Sequence, residues 1–224
     1  MDKFFGNLHA VLGTGLVLAI ILMLCLNGQN FEDGIAAGNA IMRWLHTFFG
    51  VLWIGLLYYF NFVQIPTMPS VPAELKPGVT RYIAPAALFW FRWAALATWL
   101  TGAWYLARSG NFHGSFALGL LSDPVNYYQL VIGIAGHAKY LAPALGLQEP
   151  YRLIGVGMWL GLIMAFNVWF LIWPNQKRAL GIVQAEDDVK ARSASVAMMA
   201  SRTNLILSIP MLLCMGSATH GLPF

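Results

Sequence analysis

Five long apolar stretches dominate this sequence and restrict what it can fold into. Each is long enough to cross a bilayer, since a helix that spans the hydrocarbon core needs roughly 20 residues. Charged residues make up 10% of the chain, whereas a soluble domain carries about 25%. The sequence therefore predicts an all-α integral membrane protein, a single transmembrane domain over residues 1–224 with about five helices. The predicted spans are residues 8–27, 36–65, 83–107, 152–173 and 203–221.

Two segments between the spans have a different character. Residues 110–149 are apolar in patches but interrupted by charged residues and prolines such as Asp123 and Pro143. We expect interfacial or re-entrant helices there, on the outer side, with a sixth span as the alternative. Residues 175–201 mix charged and apolar side chains, which predicts a helical connector on the cytoplasmic side.

The basic residues predict the orientation of the spans. With five spans, one face carries Lys3, Lys76, Arg81, Lys177, Arg178, Lys190, Arg192 and Arg202, and the other carries Arg43, Arg108, Lys139 and Arg152. Positive charge favours the cytoplasmic face, so we expect a cytoplasmic N-terminus and a C-terminus on the outer, periplasmic side. The same residues form no stripe, which argues against nucleic-acid binding. The first apolar run is long for a signal peptide, so we expect a retained first helix.

Two of the five histidines are predicted to reach the same depth near the outer face. His46 lies about two turns into the second span, and His220 closes the fifth. Paired imidazoles on different helices are the axial ligands that a b-type haem needs. Gly50 follows His46 by one turn and Gly216 precedes His220 by one turn, which leaves room for a flat macrocycle. Arg43, on the same face as His46, is where a haem propionate is expected.

Other interpretations of these residues stay open. His113 and His137, in the segment 110–149, are further candidate partners, and His137 is an alternative metal ligand. The same histidines could instead form a copper or zinc site, although no HExxH motif or carboxylate partner supports one. A histidine near a helix end can also simply form hydrogen bonds at the interface. Cys25 and Cys214 match no CxxC or CxxCH motif and are expected to be small buried hydrophobes.

A second polar group is predicted toward the cytoplasmic face. Arg92 lies within the third span and Asn167 at similar depth in the fourth, while Arg202 and Asn204 open the fifth. An arginine inside a membrane is costly and by default indicates a function. Arg92 and Asn167 are therefore candidates for binding an anionic substrate, with a second haem propionate as another partner for Arg92. The alternative is an arginine that snorkels to the headgroups or bonds Asn167.

Several of these stretches together resemble one family. They are RWLHTFFGVLWIG at 43–55, YYF at 58–60, WFRW at 90–93, TWLTG at 98–102, Asn167 through Pro174-Asn175-Gln176, RTN at 202–204 and LSIPM at 207–211. In this order they look like the urate oxidase N-terminal domain family, the membrane part of bacterial cytochrome c-type urate hydroxylases. The resemblance implies a multi-helix domain of the bacterial inner membrane that holds haem b and passes electrons to an outer-side cytochrome c. It also implies that His46 and His220 are the iron ligands.

The resemblance leaves the activity open. Full-length members carry a C-terminal cytochrome c domain with CxxCH, and no such motif occurs through Phe224, so we expect the electron acceptor to be a separate protein. The reductant could be urate or another oxidisable molecule. The alternative function is a non-catalytic accessory transmembrane subunit of a larger respiratory or photosynthetic complex, with unligated histidines. A transporter is less favoured, because the spans lack acidic residues and no inverted repeat is found.

Overall fold

The computed structural model of the chain describes residues 2–27, 34–108, 115–116 and 150–220. These residues contain no strand, which confirms the predicted all-α class. Five long helices correspond to the five predicted spans. They are α1 (Leu8–Asn27), α2 (Gly34–Tyr58), α3 (Ala84–Arg108), α4 (Pro150–Phe166) and α5 (Asp187–His220).

Four helical stretches in the described residues are long and apolar enough to cross a membrane. They run Ala36–Ser70, Lys76–Arg108, Leu153–Ala179 and Asp187–Ser217, and α1 adds a shorter apolar stretch, Leu8–Met23. The chain is therefore a multi-pass integral membrane protein. Of the predicted interfacial segment 110–149, only Ser115 and Phe116 are described, and both are helical. The remainder, including His113 and His137, lies outside the described residues.

The chain divides into two compact units, residues 1–41 and 42–224. In the first unit, the side chain of Asn7 caps α1 by accepting hydrogen bonds from the backbone N–H groups of His9 and Ala10 at 3.1 and 3.3 Å. This cap satisfies donors that the first turn of a helix leaves free. Helix α1 exposes many large apolar side chains, among them Leu22. Cys25 is also exposed, contrary to expectation, whereas Cys214 in the second unit is buried as expected.

The core of the second unit lies where α2, α3, α4 and α5 meet. Its most deeply buried large side chains are Trp53, Leu57, Phe91, Met164 and Val168. Outward-facing residues of the same helices are apolar too, for example Val51 and Ile206, which are 70% and 69% exposed. An apolar exterior is stable only against lipid, which agrees with the composition.

Two of the spans end in wider π-helical turns that precede a proline. Tyr59–Gln64 follows α2 and leads to Pro66, and Asn167–Ile172 follows α4 and leads to Pro174. A proline inside a helix removes one backbone donor and crowds the preceding turn, which disturbs regular α-helical bonding. A third π-helical segment, Val79–Ile83, precedes α3. Single π-helical turns occur frequently at functional sites.

Helix α5 differs from its predicted form. The connector predicted over 175–201 is helical over Trp173–Ala179. From Asp187 it belongs to the same 34-residue helix as the fifth span. Asp187 and Asp188 occupy the first turn, where negative side chains interact favourably with the helix dipole and stabilise the helix. Serine and alanine side chains line the inner face of this extension: Ser193, Ala197, Ala200 and Ser201 are buried. Small residues allow membrane helices to approach closely, so the polar stretch packs as part of the bundle.

Candidate functional site

His46 is held in a defined orientation by the neighbouring helix. Its Nδ1 lies 2.8 Å from the backbone carbonyl oxygen of Thr98, on α3. A carbonyl oxygen can only accept a hydrogen bond, so Nδ1 carries the proton and donates it. In the neutral ring, Nε2 then keeps its lone pair. This is the usual state of a metal-binding histidine, whose second nitrogen donates to a carbonyl or carboxylate.

Gly102 forms the surface on which the imidazole rests. A Cβ atom added at Gly102 would lie 2.7 Å from Nδ1 and 2.8 Å from Cε1 of His46. One turn along each helix, a Cβ added at Gly50 would lie 3.8 Å from Cγ2 of Thr98. His46 therefore faces Gly102 while Gly50 faces Thr98, which is the register of two antiparallel helices. The missing side chain at Gly102 makes room for the imidazole to reach the Thr98 carbonyl.

Substituting Gly102 with alanine is expected to displace the His46 ring. A contact of 2.7 Å is too short for a real Cβ, and the ring cannot retreat without losing its bond to Thr98. If His46 binds a metal-containing cofactor, the affinity should fall roughly 10–100-fold, as when an outer-shell partner is lost. The rate of haem transfer to a soluble acceptor measures this. Gly55→Ala on α2 is the control, because an added Cβ there meets nothing within 4 Å, and equal rates for both variants would contradict the prediction.

The structure places the other predicted site residues as follows. Arg43 is exposed on α2, one turn before His46. Around Gly216 an added Cβ meets nothing within 4 Å among the described residues. His220 is the last residue of α5, and its side chain lies outside the described part. The structure thus brings His46 and Gly50 together with Thr98 and Gly102, while the pairing of His46 with His220 stays a prediction.

The described residues around His46 offer a metal-containing cofactor one oriented imidazole. Within the described residues, no group of three or more His, Cys, Asp or Glu side chains could hold a metal ion. Copper and zinc sites normally require three or four such ligands. A porphyrin supplies four nitrogen donors of its own, so the protein has to supply only the axial ones. A single oriented imidazole meets that requirement on one side of the ring.

The second predicted group centres on Arg92, which is 9% exposed on α3. Its guanidinium carbon lies 3.3 Å from the ring centre of Trp173 and 5.9 Å from that of Trp169. The Trp169 indole N–H donates to the backbone carbonyl of Arg92 at 3.2 Å. Both tryptophans belong to the region of the π-helical turn that follows α4. The guanidinium of Arg92 therefore stacks on the indole of Trp173 and forms no hydrogen bond with Asn167 in the described structure.

Asn167 instead joins α5. Its amide donates to Oδ1 of Asn204 at 2.8 Å, and the Asn204 amide donates to the carbonyl of Met164 at 3.0 Å. A similar link joins the π-helical turn after α2 to α5, where the Asn61 amide donates to Ser201 Oγ at 2.9 Å. These bonds hold the two widened turns against one helix. Asn167 positions its own segment, and a role for it in binding substrate stays a prediction.

Sequence reasoning missed several of the residues that shape these sites. Thr98 and Gly102 were noted only as parts of a motif, and Trp173 and Asn61 were not singled out. Asn61 carried a usable signal, since it lies in an apolar stretch five residues before a proline, much as Asn167 lies seven residues before one. The role of Trp173 had no comparable signal, because tryptophan is common near membrane interfaces.

The comparison with known families bears on the C-terminal part of the chain. Residues 126–224 match the model of the family described as urate oxidase N-terminal. This match confirms the predicted resemblance. It includes Asn167, Asn204, Gly216 and His220, whereas His46 and Arg92 precede the matched range. No curated protein and no solved structure matches the chain.

Proposed function

We propose that this chain is a b-type haem-binding redox protein of the bacterial inner membrane, passing electrons from a small reductant to a cytochrome c on the outer face. The observation that carries the proposal is the 2.8 Å hydrogen bond from His46 Nδ1 to the Thr98 carbonyl. The bond fixes the orientation of the imidazole inside a membrane span, and in the neutral ring Nε2 keeps a lone pair that can bind iron. An oriented imidazole in an apolar setting is the main protein requirement of a haem site.

The residues would divide the work as follows. His46 would supply one axial nitrogen, kept in position by Thr98 and Gly102, and His220 would supply the second. Gly50 and Gly216 would leave space beside the ligands, and exposed Arg43 would bind a propionate at the membrane surface. Haem, when bound, supplies an iron that gains and loses one electron at a time. The apolar helices around it would exclude water and thereby set its potential.

The family match supports an oxidative role. The family that matches residues 126–224 is described as urate oxidase N-terminal, a name that refers to the oxidation of urate. Urate or a related oxidisable molecule is therefore the reductant proposed for this chain. The orientation from the basic residues, with the N-terminus cytoplasmic and the C-terminus periplasmic, would put His46 and His220 near the face where a cytochrome c docks.

The test is a dithionite-reduced-minus-oxidised spectrum of the gently purified full chain, with pyridine haemochrome quantitation. We expect a b-type α band and close to one haem per chain, after which candidate reductants, beginning with urate, can be added in place of dithionite. A folded protein without haem would contradict the proposal. It would favour the accessory-subunit alternative, which predicts that mild detergent releases the chain only together with larger partners.

A further inference from the structure

The positive charge of Arg92 has no acidic partner in the spanning helices. No Asp or Glu occurs in residues 34–73, 75–122, 150–185 or 189–220. The Nε and Nη1 atoms of Arg92 are buried and have no hydrogen-bond partner in the part of the chain that the structure describes. A buried cation without a partner is costly, and more so in a membrane. Its retention inside the bundle calls for a source of negative charge.

Stacking on tryptophan leaves the Nε and Nη1 donors of this guanidinium without an acceptor in the described part of the chain. The Arg92 carbon lies 3.3 Å from the Trp173 ring centre, so the indole covers a face of the planar group. The N–H donors of arginine point outward in the plane, along its edge. A cation–π contact therefore offsets part of the charge without using the donors. The Nε and Nη1 donors of Arg92 therefore still lack a hydrogen-bond acceptor.

A second cation lies beside the same indole. Lys177 Nζ is 5.6 Å from the Trp173 ring centre. Since Arg92 Cζ is 3.3 Å from that centre, the two charges are at most about 9 Å apart. Lys177 and the exposed Arg178 both lie in the last turn of the short helix Trp173–Ala179. Two cations at this separation repel each other, and an anion between them would stabilise both.

We propose that Arg92, Trp173 and Lys177 form a binding site for an oxyanion, a phosphate or carboxylate group. Arg92 donates from its unpartnered N–H groups, Trp173 fixes the plane of the guanidinium, and Lys177 adds an ammonium group from the end of the helix. Asn167 is a positioning residue, because its bond to Asn204 holds the π-helical turn that leads to Trp173. The site is independent of the haem proposal, since none of its residues contacts His46 in the described structure. The anion is either a soluble metabolite or the headgroup of an acidic lipid.

The experiment titrates two probes into the full chain in an uncharged detergent, with binding followed by calorimetry at constant ionic strength. One probe is inorganic phosphate and the other is dihexanoyl phosphatidylglycerol. We expect at least one to bind, and Arg92→Met to weaken it about 10-fold or more, as expected for losing a hydrogen bond to a charged group. Lys177→Gln should weaken it by a smaller factor. Arg108→Gln should leave it unchanged, because Arg108 also lies over a tryptophan, Trp104, but is exposed.

Each outcome decides the proposal. Binding of phosphate indicates a soluble anion, and binding of the lipid alone indicates a headgroup site. Either result supports the proposal if Arg92→Met or Lys177→Gln weakens binding and Arg108→Gln does not. If Arg92→Met fails to fold, as judged by size-exclusion chromatography, Lys177→Gln decides by itself. No binding of either probe, or equal binding by all variants, overturns the proposal. The result is independent of haem content, so it can fail while the redox function stands.

Discussion

His46→Ala is expected to abolish haem binding by this chain. If the proposed function is correct, the substitution removes an imidazole whose orientation is defined by a bond to another helix, Nδ1 to the Thr98 carbonyl. Alanine has no atom that can bind iron. The residues that contact His46, Thr98 and Gly102, supply no ligand in its place. The reduced α band should be lost or fall to a few per cent of that of the unmodified protein. Pyridine haemochrome quantitation on equal amounts of purified protein measures the loss.

The control for this variant is His9→Ala. His9 is exposed near the start of α1, and its backbone N–H donates to the side chain of Asn7, a bond that alanine keeps. Its haem content should equal that of the unmodified chain. A further variant, His46→Gly with free imidazole added, should recover part of the band if the loss is one of ligation. Full haem content in His46→Ala would remove His46 from the list of ligands.

Asn204→Leu is expected to produce the largest loss of stability among the polar positions of the core. Asn204 is fully buried and bonds both the Asn167 amide and the Met164 carbonyl. Leucine has a similar volume but can pair with neither, so the Asn167 amide is left buried without an acceptor. A buried group left unpaired costs about 1–3 kcal/mol. For a chain of this size, each kcal/mol corresponds to a fall of about 2–4 °C in melting temperature.

Thermal unfolding in detergent provides the measurement, and Thr203→Val is the matched control. Thr203 precedes Asn204 in the same helix, is exposed, and bonds only the carbonyl of Met199 within its own helix. Its substitution should change the unfolding free energy by less than about 0.5 kcal/mol. If Asn204→Leu melts at the same temperature as Thr203→Val, the bonds between α4 and α5 contribute little. The π-helical turn at Asn167–Ile172 would then be held by apolar packing alone.

At both polar sites, around His46 and around Arg92, the packing of helices brings together residues that are far apart in the sequence. His46 and Gly102 are distant in sequence, as are Arg92 and Trp173. In each pair one residue lies on α3, which packs against α2 on one side and against the end of the fourth span on the other. Along α3, Arg92 and Thr98 are six residues apart, a rise of about 9 Å. An anion bound at Arg92 and a haem held by His46 would therefore be close enough for one to influence the other electrostatically.

Much of the architecture could be predicted from the sequence, because it depends on local properties. The length of an apolar stretch decides whether a helix can span a bilayer, so each of the five predicted spans overlaps a long helix of the structure. The cost of a cation in hydrocarbon likewise made Arg92 a candidate without any knowledge of its neighbours. The predicted end of the connector at residue 201 was less accurate. Its larger apolar residues, such as Met199, are exposed, and small residues such as Ala197 and Ala200 pack inward, so the apolar pattern does not reveal its buried face.

The sequence by itself determined that this is a helical membrane protein with a histidine in its second span and an uncompensated arginine in its third. Only the tertiary structure decided what these side chains contact. The proton on His46 is assigned by the Thr98 carbonyl, the space for its ring by Gly102, and the setting of Arg92 by Trp173. Such contacts depend on the rotation and register of one helix against another. Those are set by the packing of the whole interface, and the spacing within a single helix does not reveal them.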